Sequence, residues 1–212
     1  MDLAHHRREY TRAGLDLPDL APDPVAQFAN WFGQATAAGI LEPNAAALST
    51  VGPDGRPSTR TVLLKSFDAR GLVFFTNYES RKARDIATHP DVALLFAWLG
   101  LERQAIIEGR AERTDPAESA AYFASRPYGS QLGAWVSAQS SVTTRAELAS
   151  KLADLQKKYP EGHVPPPPFW GGFRVAPHIW EFWQGRPDRL HDRFRYRRDN
   201  PASPWLIERL SP

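Results

Sequence analysis

A run of basic residues near the carboxyl end of the chain combines four arginines with one titratable histidine. Arg189, His191, Arg193, Arg195 and Arg197 occupy every second position. Side chains of an extended strand alternate between its two faces, so this spacing predicts one strongly cationic face. Because like charges repel one another, the pattern favours an anionic ligand against that face, with the histidine between two permanent charges. The alternative is a solvated edge strand whose arginines prevent pairing with another strand, and this is the default interpretation after Arg193.

A second polar motif, Ser80-Arg81-Lys82, lies where a helix is expected to begin after Asn77. Cations in a first turn oppose the positive end of the helix dipole, at a cost of roughly a few tenths of a kcal/mol each. A bound phosphate would remove this conflict, because backbone donors, a serine hydroxyl and two cations would converge on it. The alternative is that Arg81 and Lys82 point into water.

Two cations, Arg60 and Lys65, bracket a hydrophobic segment that predicts a strand. Their spacing puts them on opposite faces of a regular strand, so they serve different ligands or a bulge intervenes. An equally good interpretation is that both are strand-end cations that reach solvent.

A third cluster combines a phenol, a guanidinium and a hydroxyl. Tyr122 and Arg126 are four residues apart and share a helix face, which Ser130 continues if the helix resumes after Pro127. These three groups together would form a phosphate clamp. Without further support, Tyr122 would instead belong to the core and Arg126 to the surface.

Composition limits the class of protein. The 212 residues are 42% hydrophobic and 11% aromatic, which is enough for the core of one domain. The net charge is only +2 despite a pI near 9.0, so nothing in the balance requires nucleic acid. The absence of cysteine excludes disulfides, a thiolate metal site and a cysteine nucleophile. No segment resembles a secretory signal or a membrane span, which favours a cytoplasmic protein.

Turn and capping residues divide the chain into predicted elements. Asp23 caps a helix that starts at Pro24 and ends at Gly39, and capping boxes at Asp115 and Thr144 begin two later helices. Short apolar segments between turn residues predict strands. The predicted strands are 45–51, 58–67, 72–76, 91–99, 102–114, 173–175, 179–183, 193–197 and 205–210, with a short helix at 80–88.

Strands joined mainly by tight turns predict an antiparallel meander, and its closed form is a small barrel. The predicted fold class is therefore mainly β with flanking helices. Residues 1–22 lack periodicity and are expected to form a flexible arm, and residues 23–212 a single domain. Because strands from both ends should join one sheet, the proline run 165–168 is interpreted as a strap that crosses the sheet rather than as a domain linker.

Eleven segments together resemble the pyridoxamine 5'-phosphate oxidase family, in the order in which that family has them. They are Arg7-Arg8-Glu9-Tyr10, Arg60 to Lys65, Phe74-Phe75-Thr76-Asn77, Ser80-Arg81-Lys82-Ala83, Leu101-Glu102-Arg103-Gln104, Ser125-Arg126-Pro127, Gly133-Ala134-Trp135-Val136-Ser137, Gln139-Ser140-Ser141, Phe169-Trp170-Gly171-Gly172-Phe173-Arg174, Glu181-Phe182-Trp183-Gln184-Gly185, and Arg189 to Arg193. Each segment is weak support by itself, whereas the ordered set is highly specific.

The resemblance implies an FMN-binding split β-barrel, antiparallel and homodimeric, with FMN in the subunit interface. It also implies oxidation of pyridoxamine 5'-phosphate and pyridoxine 5'-phosphate to pyridoxal 5'-phosphate, with dioxygen as electron acceptor and hydrogen peroxide as product. The implied FMN contacts are Arg60, Thr61, Val62, Leu63, Leu64, Lys65, Phe75, Thr76, Arg81, Lys82, Gln104, Gln139, Ser140, Trp183 and Arg193. The implied substrate contacts are Arg7, Arg8, Glu9, Tyr10, Lys65, Tyr122, Arg126, Ser130, Arg189, Leu190 and His191, with Arg189 and His191 as the catalytic residues.

The chain departs from the family pattern at two places. Phe75 stands where a tyrosine is frequent, and Tyr128-Gly129 replaces a more polar pair, which is expected to loosen the phosphate clamp. Three alternatives accompany the implied function. They are an oxidase of the same fold acting on another aromatic substrate such as a phenazine precursor, a flavin-binding module without turnover, and a basic barrel for nucleic acid. The clamp disfavours the first, and the even charge balance disfavours the last.

Overall fold

The computed structural model describes residues 1–3, 5, 6, 9–200 and 202–212. Its first long helix, α1 (Pro24–Ala37), begins where the sequence predicts, because the Asp23 side chain accepts hydrogen bonds from two backbone N–H groups of the first turn. The helix ends before Gly39, whose φ of 69° suits a residue without a Cβ. Phe28, on the inner face of α1, is fully buried in the main apolar core.

One antiparallel sheet of nine strands makes up the centre of the described part of the chain. The strands are β1 (Ala45–Val51), β2 (Pro57–Leu63), β3 (Ser66–Asp68), β4 (Gly71–Asn77), β5 (Asp91–Trp98), β6 (Arg103–Arg113), β7 (Trp170–Gln184), β8 (Asp192–Arg197) and β9 (Leu206–Leu210). Their order is β2-β1-β5-β6-β7-β4-β3, and β8 and β9 continue from β7. The predicted antiparallel fold, with strands from both ends in one sheet, is confirmed.

The sheet curls because β2 and β3, the strands at the two ends of that order, follow each other directly along the chain. Leu64 donates its N–H to Asn44 beside β1, and the next residue, Lys65, donates to Val73 on β4. The chain thus changes partner between two consecutive residues, and the sheet becomes a split barrel. This change also corrects the prediction of one continuous strand over 58–67, which the structure divides into β2 and β3.

Strand β7 is a single long strand where the sequence predicts two short ones. Pro177 has no N–H for a ladder, and the register shifts beside it, since Glu108 pairs with Ile179 and Gly109 with Pro177. His178 is therefore the extra residue of a bulge, which bends the strand without ending it. Past the bulge β7 exchanges β4 for β8 as its neighbour, so the sheet divides into two branches.

Four further helices flank the sheet: α2 (Arg81–Thr88), α3 (Pro116–Ser125), α4 (Tyr128–Val136) and α5 (Arg145–Lys158). Thr144 and Glu147 form the predicted capping box of α5. Asp115 caps α3 alone, because Glu118 binds Arg174 instead. None of the helices in the described ranges is both long and apolar enough to cross a bilayer.

Helix α4 is an element that the sequence did not predict as separate. Pro127 holds Arg126 in an extended conformation, with a ψ of 147°, so α3 must end there and a new helix begins at Tyr128. The α4 helix packs with the proline-rich strap in a second apolar cluster that includes Leu132, Val164 and the first residue of β7. The strap leads from α5 to β7, as predicted.

The inner part of the predicted arm lies against the barrel. Arg12 donates its N–H to Glu102, Leu15 donates to Asp192, and the carbonyl of Ala21 accepts from the phenol of a residue on β8. The Leu15 side chain is buried with the core. The ring of Tyr10 also packs against Trp183 and His191, so these contacts hold the chain from Tyr10 onward, and the flexible arm stays a prediction for the residues before it.

Candidate functional site

A first cleft of about 440 Å³ separates the barrel from helices α3 and α4. It is lined by Thr61, Val62, Leu63, Lys65, Phe75, Thr76, Lys82, Tyr122, Arg126, Pro127, Ser130, Gln139 and Trp170. All of these except Pro127 and Trp170 are residues for which the sequence predicts contacts with FMN or the substrate. The fold therefore brings together residues from β2, β4, α2, α3, α4 and the loop after α4.

Lys82 is a buried cation with no carboxylate partner in the described part of the chain. It is only 7% exposed, and its Nζ donates to Thr76 Oγ1 at 3.0 Å, Gln139 Oε1 at 3.1 Å and Ser80 Oγ at 3.3 Å. Burial, and secondly the charge of Arg60, lowers the pKa of Lys82 to about 8. Three neutral acceptors do not balance its charge, so an anion in the cleft would stabilise it.

Arg126 presents a second unbalanced cation to the same cleft. Its Nη1 is buried and has no hydrogen-bond partner among the residues described, while the guanidinium carbon lies 4.8 Å from the ring centre of Trp170. Burial lowers the pKa of Arg126, partly offset by Tyr122. A buried donor without an acceptor is costly, and the guanidinium fork matches two oxygens of a phosphate.

Aromatic rings form one wall of the first cleft. Phe75 stacks on Tyr122 with centroids 4.1 Å apart and on Trp170 at 5.4 Å, and the rings are nearly parallel. At the rim, Lys65 and Ser130 are exposed, and their side chains make no hydrogen bond to any residue that the structure describes. The cleft therefore combines a flat apolar wall with cations and a hydroxyl that have capacity for a ligand.

The two cations of the α2 N-terminus have different environments. Lys82 points into the first cleft, whereas Arg81 is exposed, which is the alternative that the sequence left open for both. The backbone N–H of Arg81 donates to Ser140 Oγ at 3.2 Å, and Ser140 has a φ of 74°, in the left-handed region. Ser80 precedes the helix but its side chain makes no capping bond. Arg81 and Ser140 adjoin the cleft without lining it.

Arg60 does not reach the first cleft. Its Nη1 donates to Leu48 O at 3.1 Å and Thr50 Oγ1 at 2.7 Å, and its Nη2 lies 3.7 Å from Asp85 Oδ2. Burial is the main cause that lowers the pKa of Arg60. The side chain of Leu64 is likewise directed into the core. The side chains of these two residues line neither cleft, and FMN contact stays a prediction for both.

A second cleft of about 580 Å³ lies at the end of β7 that follows the bulge. It is lined by His6, Glu9, Tyr10, Gln104, Trp183, Arg186, Asp188, Arg189 and His191. The ring of Tyr10 contacts Trp183 edge-on at 5.7 Å and His191 at 5.6 Å, and the last two rings are 4.6 Å apart. Six predicted contacts thus meet here, while Arg7 and Arg8 lie outside the described residues.

One hydrogen bond identifies which ring nitrogen of His191 is an acceptor. The backbone N–H of Arg186 donates to His191 Nδ1 at 3.1 Å, so Nδ1 is an acceptor and the neutral ring carries its proton on Nε2. Beside it, Arg189 is exposed and has a φ of 61° in a tight turn after Pro187. Leu190 is exposed and lines neither cleft.

The prediction of a single cationic strand face is wrong in two respects. Strand β8 begins at Asp192, so Arg189 and His191 precede it and do not follow its alternation. The strand arginines are also neutralised within the protein, since Arg195 and Arg197 both bind Glu208 on β9. With β7 on one side and β9 on the other, β8 is not an edge strand either.

Arg193 is likewise paired within the protein. Its Nε and Nη2 donate to the two oxygens of Glu181 at 2.7 and 3.1 Å, and this hydrogen bonding to Glu181 is the main cause that raises the pKa of Arg193. It lines neither of the two clefts, although FMN contact is predicted for it. The carboxylates that neutralise this surface come from the neighbouring strands β7 and β9, 11 to 13 residues along the chain, so the spacing within β8 could not reveal them.

Five lining residues were missed: Pro127 and Trp170 in the first cleft, and His6, Arg186 and Asp188 in the second. Trp170 supports Arg126, and its position two residues after the proline-rich strap was an available signal. Arg186 and Asp188 lie in the turn after β7, and only the geometry of that turn places them in the cleft. Among the lining residues that the structure describes, neither cleft has a nucleophile activated by a base. Their chemistry is instead the binding of phosphates and flat rings, which fits the FMN that the resemblance implies.

Comparison with known proteins agrees with this chemistry. Residues 32–159 match the family model described as pyridoxamine 5'-phosphate oxidase, and residues 170–212 match the pyridoxine 5'-phosphate oxidase C-terminal dimerisation region. A pyridoxine/pyridoxamine 5'-phosphate oxidase from Rubrobacter xylanophilus is 58% identical, covering 100% of this chain and 97% of its own. One of the same description from Burkholderia ambifaria is also 58% identical, covering 99% of each chain.

Among solved structures, PhzG from Burkholderia lata, in complex with tetrahydrophenazine-1-carboxylic acid, has a TM-score of 0.87 and 31% identity, covering 95% of this chain and 100% of its own. A pyridoxamine 5'-phosphate oxidase-related, FMN-binding protein from Nostoc punctiforme has a TM-score of 0.74 at 18% identity, covering 91% and 100%, and supports the fold alone. From the matched ranges and the identity over the whole length, the chain belongs to the pyridoxamine 5'-phosphate oxidase family.

Proposed function

We propose that this protein is an FMN-dependent oxidase that converts pyridoxamine 5'-phosphate and pyridoxine 5'-phosphate to pyridoxal 5'-phosphate. The observation that carries the proposal is the pair of unbalanced cations in the first cleft, Lys82 and the buried Nη1 of Arg126. Both the cofactor and the substrate of such an oxidase carry a phosphate. A substrate without a phosphate would leave one cation unsatisfied, which disfavours a phenazine-type reaction.

We assign the FMN phosphate to Lys82 and the α2 N-terminus, and the substrate phosphate to Arg126 and its neighbours. Lys82 is held by Thr76 and Gln139, and Arg81 lies beside it with its backbone at the first turn. Arg126 forms its clamp with Lys65, Tyr122 and Ser130, the last three having no competing ion pair among the described residues. Phe75 and the rings stacked on it supply a flat surface near both phosphates.

The predicted contacts divide between the two clefts in a way that favours a shared site. The first cleft holds most of the predicted FMN contacts and all four of the substrate clamp residues, and the second holds Gln104, Trp183, Arg189 and His191. Each cleft therefore has part of both sets. We propose that the first cleft of one protomer faces the second cleft of its partner in a homodimer, with FMN in the interface.

The residues of the chain bind and orient the substrate in this proposal. The Arg126 clamp fixes the phosphate end, while Arg189 and the partly buried ring of His191 lie over the pyridine ring and set the position of its exocyclic carbon. Because Arg186 occupies His191 Nδ1, the imidazole offers Nε2–H as a hydrogen-bond donor. Tyr10 packs on both rings of the second cleft and excludes water from that side.

When bound, FMN would supply the redox chemistry, in which the exocyclic carbon loses a hydride, its hydroxyl or amino group loses a proton, and dioxygen takes up the two electrons and two protons as hydrogen peroxide; with the amine substrate, water would then replace the nitrogen, which leaves as ammonia. The first test is an anaerobic titration of the purified protein followed by its visible spectrum. Bleaching by pyridoxine phosphate supports the proposal. Bleaching only by a reduced phenazine would support the sister oxidase, and bleaching only by dithionite would support a flavin-binding module without turnover.

A second test addresses the shared site through Lys82→Ala and Arg189→Ala. Lys82→Ala should lose FMN, whereas Arg189→Ala should keep FMN but turn over slowly. In the proposed dimer, a mixed pair of the two variants has one site with both defects and one intact site. Random reassociation of equal amounts makes half of the dimers mixed, so about a quarter of wild-type activity should be restored. If both clefts of one protomer formed the site, mixing would restore nothing, and that result would refute the interface.

A further inference from the structure

Three proposed phosphate ligands lie on two helices that meet at one bend. Tyr122 belongs to α3, Arg126 follows its last residue, and Ser130 is in the first turn of α4. The extended Arg126-Pro127 step interrupts the helical hydrogen bonds at the bend. Across it, the side-chain amide of Gln131 on α4 donates to the carbonyls of Phe123 and Ala124 on α3, at 3.1 and 3.2 Å. These two bonds start from one side-chain nitrogen, so a second contact is needed to hold α4 at a fixed angle and to set the distance between the guanidinium and the hydroxyl.

The first residue of α4, Tyr128, makes such a contact. Its phenol donates to the carbonyl of Tyr159 at 2.7 Å, and Tyr159 is the residue that ends α5. The ring of Tyr128 is partly buried in the second apolar cluster. A single side chain therefore joins the start of α4 to the end of α5.

The contact continues to the aromatic support of Arg126. Tyr159 lies 5.9 Å from the ring of Trp135, which donates its Nε1–H to Pro165 O of the strap at 2.8 Å. The strap leads directly to Trp170, the ring on which Arg126 lies. Tyr128 thus connects the helix that carries Ser130 with the segment that supports Arg126.

We propose that Tyr128 is a positioning residue for the substrate phosphate, which it serves by holding, together with Gln131, the angle of α4 against α3. This inference rests on the proposed function for the identity of the phosphate ligand. It opposes the sequence-based expectation that Tyr128-Gly129 loosens the clamp, because the phenol joins the start of α4 to the end of α5. Gly129 adds no constraint, since nothing lies within 4 Å of where its Cβ would be.

The test uses Tyr128→Phe, which removes the hydroxyl and keeps the ring. Its matched control is Tyr196→Phe, because Tyr196 also donates its phenol to a backbone carbonyl, that of Ala21, at 2.7 Å, but on the far strand β8. With FMN saturating, Tyr128→Phe should raise KM for pyridoxine phosphate about three- to tenfold, the effect of one lost hydrogen bond, with kcat within about twofold of wild type. Tyr196→Phe should leave KM unchanged even if it lowers the melting temperature as much.

A second readout does not depend on turnover. Inorganic phosphate, titrated calorimetrically into the FMN-loaded protein, reports on the clamp because FMN already fills the other phosphate site. Its Kd should rise by the same factor in Tyr128→Phe and not in Tyr196→Phe. An unchanged Kd in Tyr128→Phe, or an equal rise in both variants, would overturn the positioning role. If phosphate binding shifts as expected while wild type fails to oxidise pyridoxine phosphate, the proposed reaction fails and the clamp stands.

Discussion

The buried charge of Lys82 should make the stability of the cofactor-free protein depend on pH in a way that Lys82→Met abolishes. The pKa of Lys82 is lowered from 10.5 to about 8 in the folded protein, chiefly by burial. Between these values the unfolded chain binds more protons than the folded chain, so the free energy of unfolding rises with pH. At about 1.4 kcal/mol per pKa unit, the rise amounts to at most about 3 kcal/mol.

The assay is urea unfolding of both proteins at one protein concentration, from about pH 7 to about pH 10. The difference in unfolding free energy, wild type minus Lys82→Met, should increase over that range, whatever its value at neutral pH. The variant also loses the hydrogen bonds to Thr76 and Gln139, but this loss changes the free energy of unfolding by the same amount at every pH. It therefore does not affect how the difference between the two proteins varies with pH. Parallel curves for the two proteins would refute the claim that Lys82 is buried as a cation.

Saturation with FMN provides an internal control for the same experiment. A phosphate beside Lys82 stabilises its charged form, so the rise in stability with pH should be displaced above pH 8 in the wild type. The variant should bind FMN more weakly and show no such displacement. If FMN binds the wild type tightly yet leaves its pH dependence as it was, the cofactor phosphate does not lie beside Lys82.

Three further predictions follow from the geometry. Gly71→Ala should lower the free energy of unfolding in urea by roughly 2–4 kcal/mol, because φ is 136° and a Cβ would lie 2.0 Å from Val175 O; Gly33→Ala on α1, with open space around it, should not. Arg126→Lys keeps the charge but loses the fork, so steady-state kinetics should show KM for pyridoxine phosphate at least about tenfold higher with FMN content unchanged. Gly185→Ala should expel Tyr10, whose ring would lie 2.7 Å from the new Cβ, and limited trypsin digestion should then cut at Arg12 faster than in wild type.

Local chemistry predicted most of the fold. The N-cap at Asp23, the capping box at Thr144 and the tight turn before Gly71 are where the sequence puts them, because each depends on a few neighbouring residues. The errors occur where the chain changes partners, as at Lys65, or where a bulge joins two segments, as at His178. Such events depend on which strand lies alongside, and no local pattern contains that information.

The candidate site divides in the same way. The sequence by itself determined which residue types are present and, through the family resemblance, which of them to expect in a site. Only the tertiary structure decided that Lys82 is buried, because the loop that covers it, with Gln139, is distant along the chain. Tertiary structure also paired Arg193 with Glu181, and so removed a cation that spacing alone had offered to a ligand. Charge becomes available for binding only where folding provides no carboxylate, and that depends on which strands and loops lie alongside each cation.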